Sequence, residues 1–258
     1  MASELASRVL YCDASCVVVN KIAGEAVEGA GKGMADLPQL LAAELSAPEY
    51  PCPPANDALP LPAAVHRLDV PVSGCAAFAR TSAALRFLNA AFKGDDALGG
   101  TVKKVYWAIV EMPPNALFPE AFTEAELVHW IQFDPKRNKS IAHNEPGTGR
   151  KKAVLRCRLA GRGERYLFLE IELVTGRHHQ IRAQLERLGL HIKGDLKYGA
   201  RRSEPSGGIR LHARALSFPA PGAGAAGNDK LITVQADSPL RDNLWLAAEA
   251  AFAAAALS

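Results

Sequence analysis

Cysteine is scarce in this chain, and its spacing follows no repeat. The five cysteines stand at positions 12, 16, 52, 75 and 157, and no two of them form a Cys-x-x-Cys pair. Small disulfide-rich domains and zinc ribbons need closely spaced cysteines in even numbers. The sequence therefore predicts neither a disulfide framework nor a zinc ribbon. Cys12 and Cys16 also lack the second pair that would complete a metal site.

Long apolar runs are absent as well. No stretch approaches the roughly 20 residues that a membrane-spanning helix needs. The N-terminal residues lack the basic and apolar regions of a secretion signal. Gly29, Gly31 and Gly33 are not followed by the Lys-Ser/Thr pair of a nucleotide-binding phosphate loop. We therefore expect a cytoplasmic protein that has no membrane segment and binds no nucleotide cofactor.

The composition is that of a folded protein with an uneven charge distribution. Hydrophobic residues make up 48% of the chain, charged residues 22%, and the net charge is +3. Residues 1–65 hold 3 basic and 8 acidic side chains, whereas residues 134–166 hold 10 and 3, and residues 176–214 hold 9 and 3. Two basic blocks of this kind favour a surface that binds nucleic-acid phosphates, although solvated edge strands have a similar composition.

Hydrophobic periodicity and turn residues predict many strands and few helices. The predicted strands cover residues 8–11, 16–21, 74–79, 102–111, 127–133, 153–159, 166–174, 210–218 and 231–235. The predicted helices cover residues 36–45, 81–93 and 178–188, and a last helix is expected to begin at Ser238-Pro239. Loops are predicted over residues 46–62 and 220–227. Many strands joined by short loops indicate an α+β fold on a mostly antiparallel sheet.

One stretch, residues 65–74, places charged residues at the start of an apolar strand. Its sequence is Val-His-Arg-Leu-Asp-Val-Pro-Val-Ser-Gly, and Cys-Ala-Ala-Phe-Ala follows. Its aspartate, Asp69, is costly to desolvate there unless a cation pairs with it. Taken alone, His-Arg-x-Asp is also typical of a surface turn. The wider pattern, which includes a second motif, favours a functional carboxylate.

A second block of charged residues, later in the chain, forms a pattern together with the first block. Residues 176–182 are Gly-Arg-His-His-Gln-Ile-Arg, and Gly194-Asp195 and Tyr198-Gly199 follow. Together the two blocks resemble the RluA-type family of RNA pseudouridine synthases, whose motifs are His-Arg-Leu-Asp-x-x-Thr-Ser-Gly and Gly-Arg-Thr-His-Gln-Ile-Arg. The similarity extends to three further places: Lys21 with Gly24, Lys104-Val-Tyr106, and Arg210-Leu-His-Ala213.

The sequence departs from the family pattern at three places. Val72 and His178 each stand where the family usually has threonine, and Ile22-Ala23 replaces the usual Pro-x. None of these departures removes the aspartate, the tyrosine or the arginine that the family uses. They concern loop conformation and substrate preference more than the reaction.

The resemblance implies both a fold and a reaction. The implied fold is α+β, a long, bent, mixed and mostly antiparallel sheet with flanking helices and a central catalytic cleft. Residues 1–258 would form one catalytic domain of two subdomains sharing the sheet, without the S4-type RNA-binding domain of many relatives. The implied reaction isomerises specific uridines of rRNA or tRNA to pseudouridine. Uracil is detached, rotated and rejoined through C5 to C1′, so neither a cofactor nor a metal is needed.

The resemblance also assigns roles to residues. Asp69 is essential, either as a nucleophile at the sugar or as a base that starts elimination to a glycal. Arg182 would keep Asp69 ionised, and Tyr106 would stack on the uracil. The expected RNA-binding residues are Arg67, which would fill the space left by the flipped base, Leu211, an apolar floor for that base, and His66, Arg177, His179, Gln180, Lys193 and Tyr198. The expected partner is a structured RNA stem-loop, bound by a monomer.

Two other functions are weighed against this one. His178, His179, His191 and Asp195 suggest a metal hydrolase, but adjacent side chains on a helix diverge by about 100° and do not readily chelate one ion. The stronger alternative is a non-catalytic RNA-binding or ribosome-assembly factor that retains the fold. Asp69 counts against it, because simple RNA binding does not need a carboxylate in a cleft that faces phosphates.

Overall fold

The structure is a computed structural model that describes residues 4–31, 33–47, 52–94, 102–112, 124–222 and 230–256. The chain forms two compact units. The first unit comprises Met1–Lys103 and Ala213–Pro239, and the second comprises Lys104–His212 and Leu240–Ser258. Each unit has buried apolar clusters of its own.

The described residues form eleven strands and four α-helices, together with short 3-10 turns at Ala6–Arg8 and Leu196–Tyr198. The strands are β1 (Val9–Cys12), β2 (Cys16–Lys21), β3 (Ala58–Ala64), β4 (Ser73–Thr81), β5 (Lys103–Glu111), β6 (Glu124–Asp134), β7 (Lys139–His143), β8 (Lys151–Arg162), β9 (Tyr166–Leu173), β10 (Leu211–Pro219) and β11 (Leu231–Gln235). The helices are α1 (Leu37–Leu45), α2 (Ser82–Lys93), α3 (Gln180–Arg187) and α4 (Asn243–Ala255). The α+β class predicted from the sequence is confirmed.

In the first unit, β1, β2, β4 and β10 are successive neighbours, and β3 and β11 pair with β4 and β10. The pairs β1–β2, β2–β4, β3–β4 and β10–β11 are antiparallel. The helices α1 and α2 begin and end close to the residues predicted from the sequence. Asp36 and Gln39 form a capping box at the start of α1, and Thr81 caps α2, which ends at the left-handed Gly94.

One strand of the first unit lies within a predicted loop. Residues 46–62 are rich in proline, yet β3 begins at Ala58 and contains Pro60 and Pro62. Residues 48–51 of this predicted loop lie outside the described residues, as do residues 223–227 of the predicted loop 220–227. The register of β3 against β4 is irregular between Ala58 and Ala63. Proline is tolerated at such irregular pairings because no ladder hydrogen bond is required of its nitrogen.

In the second unit, the strand order is β5-β9-β8-β6-β7, and all of these neighbours are antiparallel. Helix α4 packs on the sheet through Trp245 and Phe252, which share a buried cluster with Ile109 and Phe168. Because α4 packs on this face, Phe168 is buried, although the alternation of apolar and polar residues along β9 predicts that this face is exposed to solvent.

One strand of the second unit was not predicted, and two helices begin later than predicted. Strand β7 was not predicted, because its sequence Lys-Ser-Ile-Ala-His is short and polar. Helix α3 begins at Gln180 rather than at residue 178, because His179 has a positive φ of 50°. Helix α4 begins at Asn243, not at Pro239, because the Asp242 side chain accepts the hydrogen bond from Trp245 N and so caps the helix.

The cysteines also differ from the prediction in one respect. Cys12 and Cys52 form a disulfide across a sequence separation of 40, a pair that the expectation of no disulfide framework did not foresee. Cys16, Cys75 and Cys157 are free and buried. A separation of that length carries no local sequence signal, because only the fold brings Cys52 to β1. Among the described residues, no helix is long and apolar enough to span a membrane.

Candidate active site

Asp69 lies in a tight turn between β3 and β4 of the first unit. Val72 N donates to Asp69 O at 2.9 Å, and Gly24 N donates to Val70 O at 2.9 Å. Leu68 and Val72 are buried on either side of the turn, whereas Asp69 is partly exposed. The apolar neighbours therefore anchor the turn in the unit and leave the carboxylate within reach of solvent or a ligand.

Lys21, the last residue of β2, holds the same turn from beneath. Its side chain is fully buried, and its ammonium group donates to the carbonyls of Val70 at 3.0 Å, Val72 at 2.6 Å and Ile22 at 3.1 Å. Burial lowers the pKa of Lys21 to about 8, and the nearby carboxylates of Glu25 and Asp69 offset part of that decrease. Lys21 therefore positions the Asp69 turn and places a positive charge near its carboxylate.

His66 and Arg67 precede Asp69 and have different surroundings. His66 Nε2 accepts a hydrogen bond from Ala77 N at 3.1 Å, and its ring stacks on Phe92 at 5.0 Å between ring centres. His66 thus ties the start of the turn to β4, and its RNA contact stays a prediction. Arg67 is exposed, so the prediction that it binds RNA remains open.

Tyr106 lies in β5 of the second unit, opposite Ile171 of β9. Only 6% of its surface is exposed. Lys104 lies two residues earlier on the same strand, and burial lowers the pKa of its ammonium group. The pairing of β5 with β9 fixes the backbone of Tyr106. A ring that is to stack on a base needs a fixed backbone of this kind.

Arg182 lies in α3 and forms a buried ion pair with Asp195. Its Nε donates to Asp195 Oδ2 at 2.7 Å and its Nη2 to Asp195 Oδ1 at 2.8 Å. The two side chains are 5% and 1% exposed. A two-point pair of this kind fixes both the position and the plane of the guanidinium group. Because Asp195 is committed to Arg182, it is not the metal ligand that the hydrolase alternative needs.

The glycines of the Gly194-Asp195 and Tyr198-Gly199 blocks allow this arrangement. Gly194 has a φ of +91°, and a Cβ there would lie 2.7 Å from Glu204 Cγ. Gly199 has a φ of +89°, and a Cβ there would lie 2.7 Å from the His191 ring. Both positions therefore require glycine for conformation and for space. The two glycines let the chain between them turn tightly enough to bring Asp195 to Arg182.

Tyr198 and Gln180 were predicted to bind RNA, and both lie inside the second unit. Tyr198 is 1% exposed, and its hydroxyl accepts from Ser140 N at 2.9 Å and donates to Ser140 O at 3.2 Å. Gln180 is buried too, and its amide binds Val154 O, Thr175 Oγ1 and Arg177 N. The polar atoms of both residues are thus engaged within the second unit, and their predicted RNA contacts stay predictions.

The remaining predicted RNA-binding residues divide by exposure. Lys193 forms an ion pair with the buried Glu204, and burial lowers the pKa of its ammonium group. Leu211 is buried in β10. Arg177 is exposed, and its Nε donates to Lys152 O at 3.1 Å. His179 is partly exposed, and its Nδ1 lies 2.9 Å from the Tyr198 hydroxyl. Arg177 and His179 thus remain candidates for RNA contact, whereas Lys193 has an internal partner.

Two residues of the site were not assigned these roles in the sequence interpretation. Lys21 was noted only as part of the similarity. Asp195 was noted as part of the Gly-Asp block and as a ligand in the metal-hydrolase alternative, but not as the partner of Arg182. The available signal for Lys21 was a lysine that ends the buried run Cys-Val-Val-Val-Asn. A lysine in such a place needs polar partners. For Asp195 there was no local signal, since its partner lies thirteen residues earlier on a helix.

Comparisons with known proteins agree with the similarity of the motifs. A relative in Zymomonas mobilis named as an uncharacterized RNA pseudouridine synthase is 32% identical, over 83% of this chain and 88% of the relative. The ribosomal large subunit pseudouridine synthase D of Neisseria meningitidis is 30% identical, over 93% of this chain and 60% of that protein.

The same fold occurs in solved structures. Human RNA pseudouridylate synthase domain containing 4 superimposes with a TM-score of 0.68 at 20% identity, over 98% of this chain and 95% of the human one. A model of the RNA pseudouridylate synthase family matches residues 15–187, a region that includes Asp69, Tyr106 and Arg182. These matches confirm the RluA-type resemblance, and the chain belongs to the RNA pseudouridylate synthase family.

Proposed function

We propose that this chain is an RNA pseudouridine synthase in which Asp69 is the essential carboxylate and Tyr106 and Arg182 are its catalytic partners. The observation that carries the proposal is that the region matched by the family contains all three residues. Each of them is also held by its own unit: Asp69 by the turn on Lys21, Tyr106 by β5, and Arg182 by Asp195.

The reaction makes a small number of chemical demands. The bond between N1 of uracil and C1′ must break, the base must rotate, and C5 must join C1′. The proton on C5 is then released, so a hydrogen isotope at that position is lost to water. Asp69 serves either as nucleophile at C1′ or as the base that starts elimination. Both routes require it to be ionised, and a guanidinium group such as that of Arg182 favours the ionised form.

The target uridine must leave its stack before this chemistry can begin. We propose that Arg67 occupies the space it leaves and that Tyr106 stacks on the flipped base. Arg177 and His179 are proposed to contact the RNA backbone. Relatives named as large-subunit ribosomal synthases support rRNA as the substrate class. A tRNA substrate, a monomeric state and the cytoplasmic location remain predictions.

Substitution of Asp69 gives the direct test of this function. We expect wild-type protein to release tritium from RNA labelled at C5 of its uridines, and Asp69→Asn to release none while it still binds RNA. Asp57→Asn provides a matched control, because Asp57 is an exposed aspartate of the same unit with a positive φ of 58° that asparagine also adopts. This control should retain wild-type activity.

The same assay separates the enzyme from its alternative. A non-catalytic RNA-binding or ribosome-assembly factor would bind RNA but release no tritium in either form. If wild-type protein releases no tritium from any RNA fraction of cells that lack it, the catalytic proposal is wrong. If Asp69→Asn remains active, the assignment of the carboxylate is wrong.

A further inference from the structure

Phe133 is an aromatic side chain that the second unit leaves largely uncovered. It lies near the end of β6, on the same face of the strand as the buried residues Leu127 and Ile131. The buried cluster of this face includes Ile131 and Tyr198 but does not reach Phe133. As a result, 46% of Phe133 is exposed. A single exposed apolar residue is common, so its surroundings decide its meaning.

The ring of Phe133 has an aromatic neighbour in a fixed orientation. The edge of His178 meets it at 4.4 Å between ring centres, with an angle of 63° between the planes. His178 in turn stacks on His179 at 3.8 Å. His178 Nδ1 lies 3.0 Å from Ser140 Oγ, and Ser140 is the residue of β7 directly opposite Phe133. The exposed rings of Phe133 and His178 therefore form a preorganised pair, which we call the Phe133–His178 platform.

Cationic residues lie in the turn that follows Phe133 and next to His178 in the chain. Lys136 and Arg137 are exposed in the turn after β6, where Asp134 Oδ1 accepts hydrogen bonds from their backbone nitrogens. Lys197 is also exposed, and its ammonium donates to Asn138 O at 3.1 Å in the same turn. Arg177 precedes His178 and is exposed. An aromatic surface with cations in the neighbouring turn matches a chain of phosphates that carries uncovered bases, not an apolar peptide.

We propose that the Phe133–His178 platform stacks an unpaired base of the RNA substrate while the neighbouring cations bind its backbone. The proposal deepens the proposed function and rests on it, because it assigns this surface to the same RNA. The occupant is single-stranded, since the bases of a duplex are covered by their own neighbours and cannot stack on a side chain.

The test compares single-stranded and duplex RNA. Fluorescence anisotropy would measure binding of a labelled, unstructured oligouridylate and of a blunt RNA duplex with the same number of phosphates. Phe133→Ala is expected to weaken oligouridylate binding about tenfold, since a base stacked on an aromatic residue contributes about 1–3 kcal/mol, and to leave duplex binding unchanged. Phe133→Trp keeps a stacking ring and should bind like the wild type.

Ile141→Ala is the matched control. Ile141 is exposed to 36% on β7 of the same hairpin, but its register partner is Gln132, so it lies on the opposite face from Phe133. This variant should bind both RNAs like the wild type. If Phe133→Ala does not fold, Phe133→Leu replaces it, because leucine keeps the apolar contact and lacks the ring.

Two results would overturn the platform. One is a ring-free variant that binds oligouridylate with the affinity of the wild type. The other is a ring-free variant that loses the same amount of affinity for oligouridylate and for the duplex. Neither depends on catalysis, so the two proposals can fail separately. If the wild-type protein releases no tritium but its oligouridylate binding depends on the ring, the catalytic proposal is refuted and the platform proposal is retained. An active enzyme whose ring-free variant binds normally refutes only the platform.

Discussion

At the scale of single residues, each unit holds a buried cation, and the two cations have different partners. Lys21 donates to three backbone carbonyls, whereas Arg182 pairs with the carboxylate of Asp195. Carbonyl dipoles compensate the desolvation of an ammonium group only in part, so the pKa of Lys21 falls to about 8. Arginine stays charged at any pH that a protein tolerates. The two cations should therefore respond differently to alkali.

We predict that deprotonation of Lys21 at alkaline pH lowers the activity and at the same time raises the stability of the fold. Above the Lys21 pKa of about 8, the amine becomes neutral and loses one donor and the positive charge near Asp69, so kcat for tritium release should fall. The folded pKa lies below that of an unfolded lysine. The charged form thus costs stability below about pH 8, and this cost disappears as the pH rises toward the unfolded value.

Lys21→Met separates this effect from the titration of other groups, such as the partly buried Lys104. Glu25, Asp69 and Arg8 are the charged neighbours of Lys21 and are unchanged in this variant. The variant should have low kcat, and neither its activity nor its unfolding free energy should show the component that titrates near pH 8. Activity and chemical denaturation would be measured across the same pH series. An unchanged alkaline decline of kcat in Lys21→Met would show that another group is responsible.

Asp195 positions Arg182 and has no predicted contact with RNA. Asp195→Asn leaves a buried guanidinium without its counter-charge, so the unfolding free energy should fall by about 3–5 kcal/mol. If the variant is folded at low temperature, kcat should fall more than the KM for RNA rises, because the residue acts through Arg182. Denaturant titration and single-turnover tritium release measure the two effects.

A surface ion pair of the same unit is the control for Asp195. Arg156 contacts Glu126 and Glu172 at 3.4 Å, and its side chain is half exposed. Arg156→Ala should cost less than about 1 kcal/mol, because solvent screens such pairs. A similar loss in both variants would contradict the role given to Asp195.

At the scale of elements, the contact between β4 and β10 in the first unit depends on one glycine. Gly74 has a φ of +113°, and a Cβ there would lie 2.6 Å from Ala213 N. This glycine ends the stretch that contains Asp69, so the motif combines the proposed catalytic residue with a packing requirement. The backbones of the two strands pass too closely at this point for any side chain.

We predict that Gly74→Ala lowers the unfolding free energy by more than about 2 kcal/mol, since it combines a strained φ with a backbone clash. Gly29→Ala is the control, because Gly29 also has a positive φ, +68°, but nothing lies within 4 Å of its added Cβ. This control should lose only about 1 kcal/mol, the cost of a left-handed conformation for alanine. Chemical denaturation of both variants gives the comparison, and equal losses would refute the clash.

At the scale of the whole molecule, charge is divided between the two units. The first unit holds 10 basic and 13 acidic residues, and the second holds 20 and 14. The net charges are therefore −3 and +6. The second unit is the cationic one, and phosphate binding should be concentrated there.

RNA affinity should accordingly depend on salt through the second unit. Removing one phosphate contact by Arg137→Ala should weaken binding to all RNAs and reduce the slope of log K against log salt by about 1. Arg86→Ala removes an exposed arginine from α2 of the first unit and should leave the slope unchanged. Filter binding at several salt concentrations measures both slopes. Equal changes would place the phosphate contacts elsewhere.

Elements with a strong local signal were predicted well, and those fixed by distant partners were not. The capped helices α1 and α2 begin and end close to the predicted residues, because Asp36, Thr81 and Gly94 act on their own neighbours. Strand β3 and the start of α4 were missed, because pairing with β4 and the cap from Asp242 override the local pattern. The burial of Gln180 and Tyr198 was missed for the same reason, since burial is decided by the surrounding fold.

The sequence by itself determined the family, the reaction class and the positions of Asp69, Tyr106 and Arg182, because short motifs carry these features along the chain. The tertiary structure alone decided which charged groups are buried and with whom. It placed Lys21 under the Asp69 turn, paired Arg182 with Asp195, joined Cys12 to Cys52 and left Phe133 exposed beside His178. Each of these depends on residues far apart in the chain, and the energy of a buried charge or ring is set by its neighbours in space.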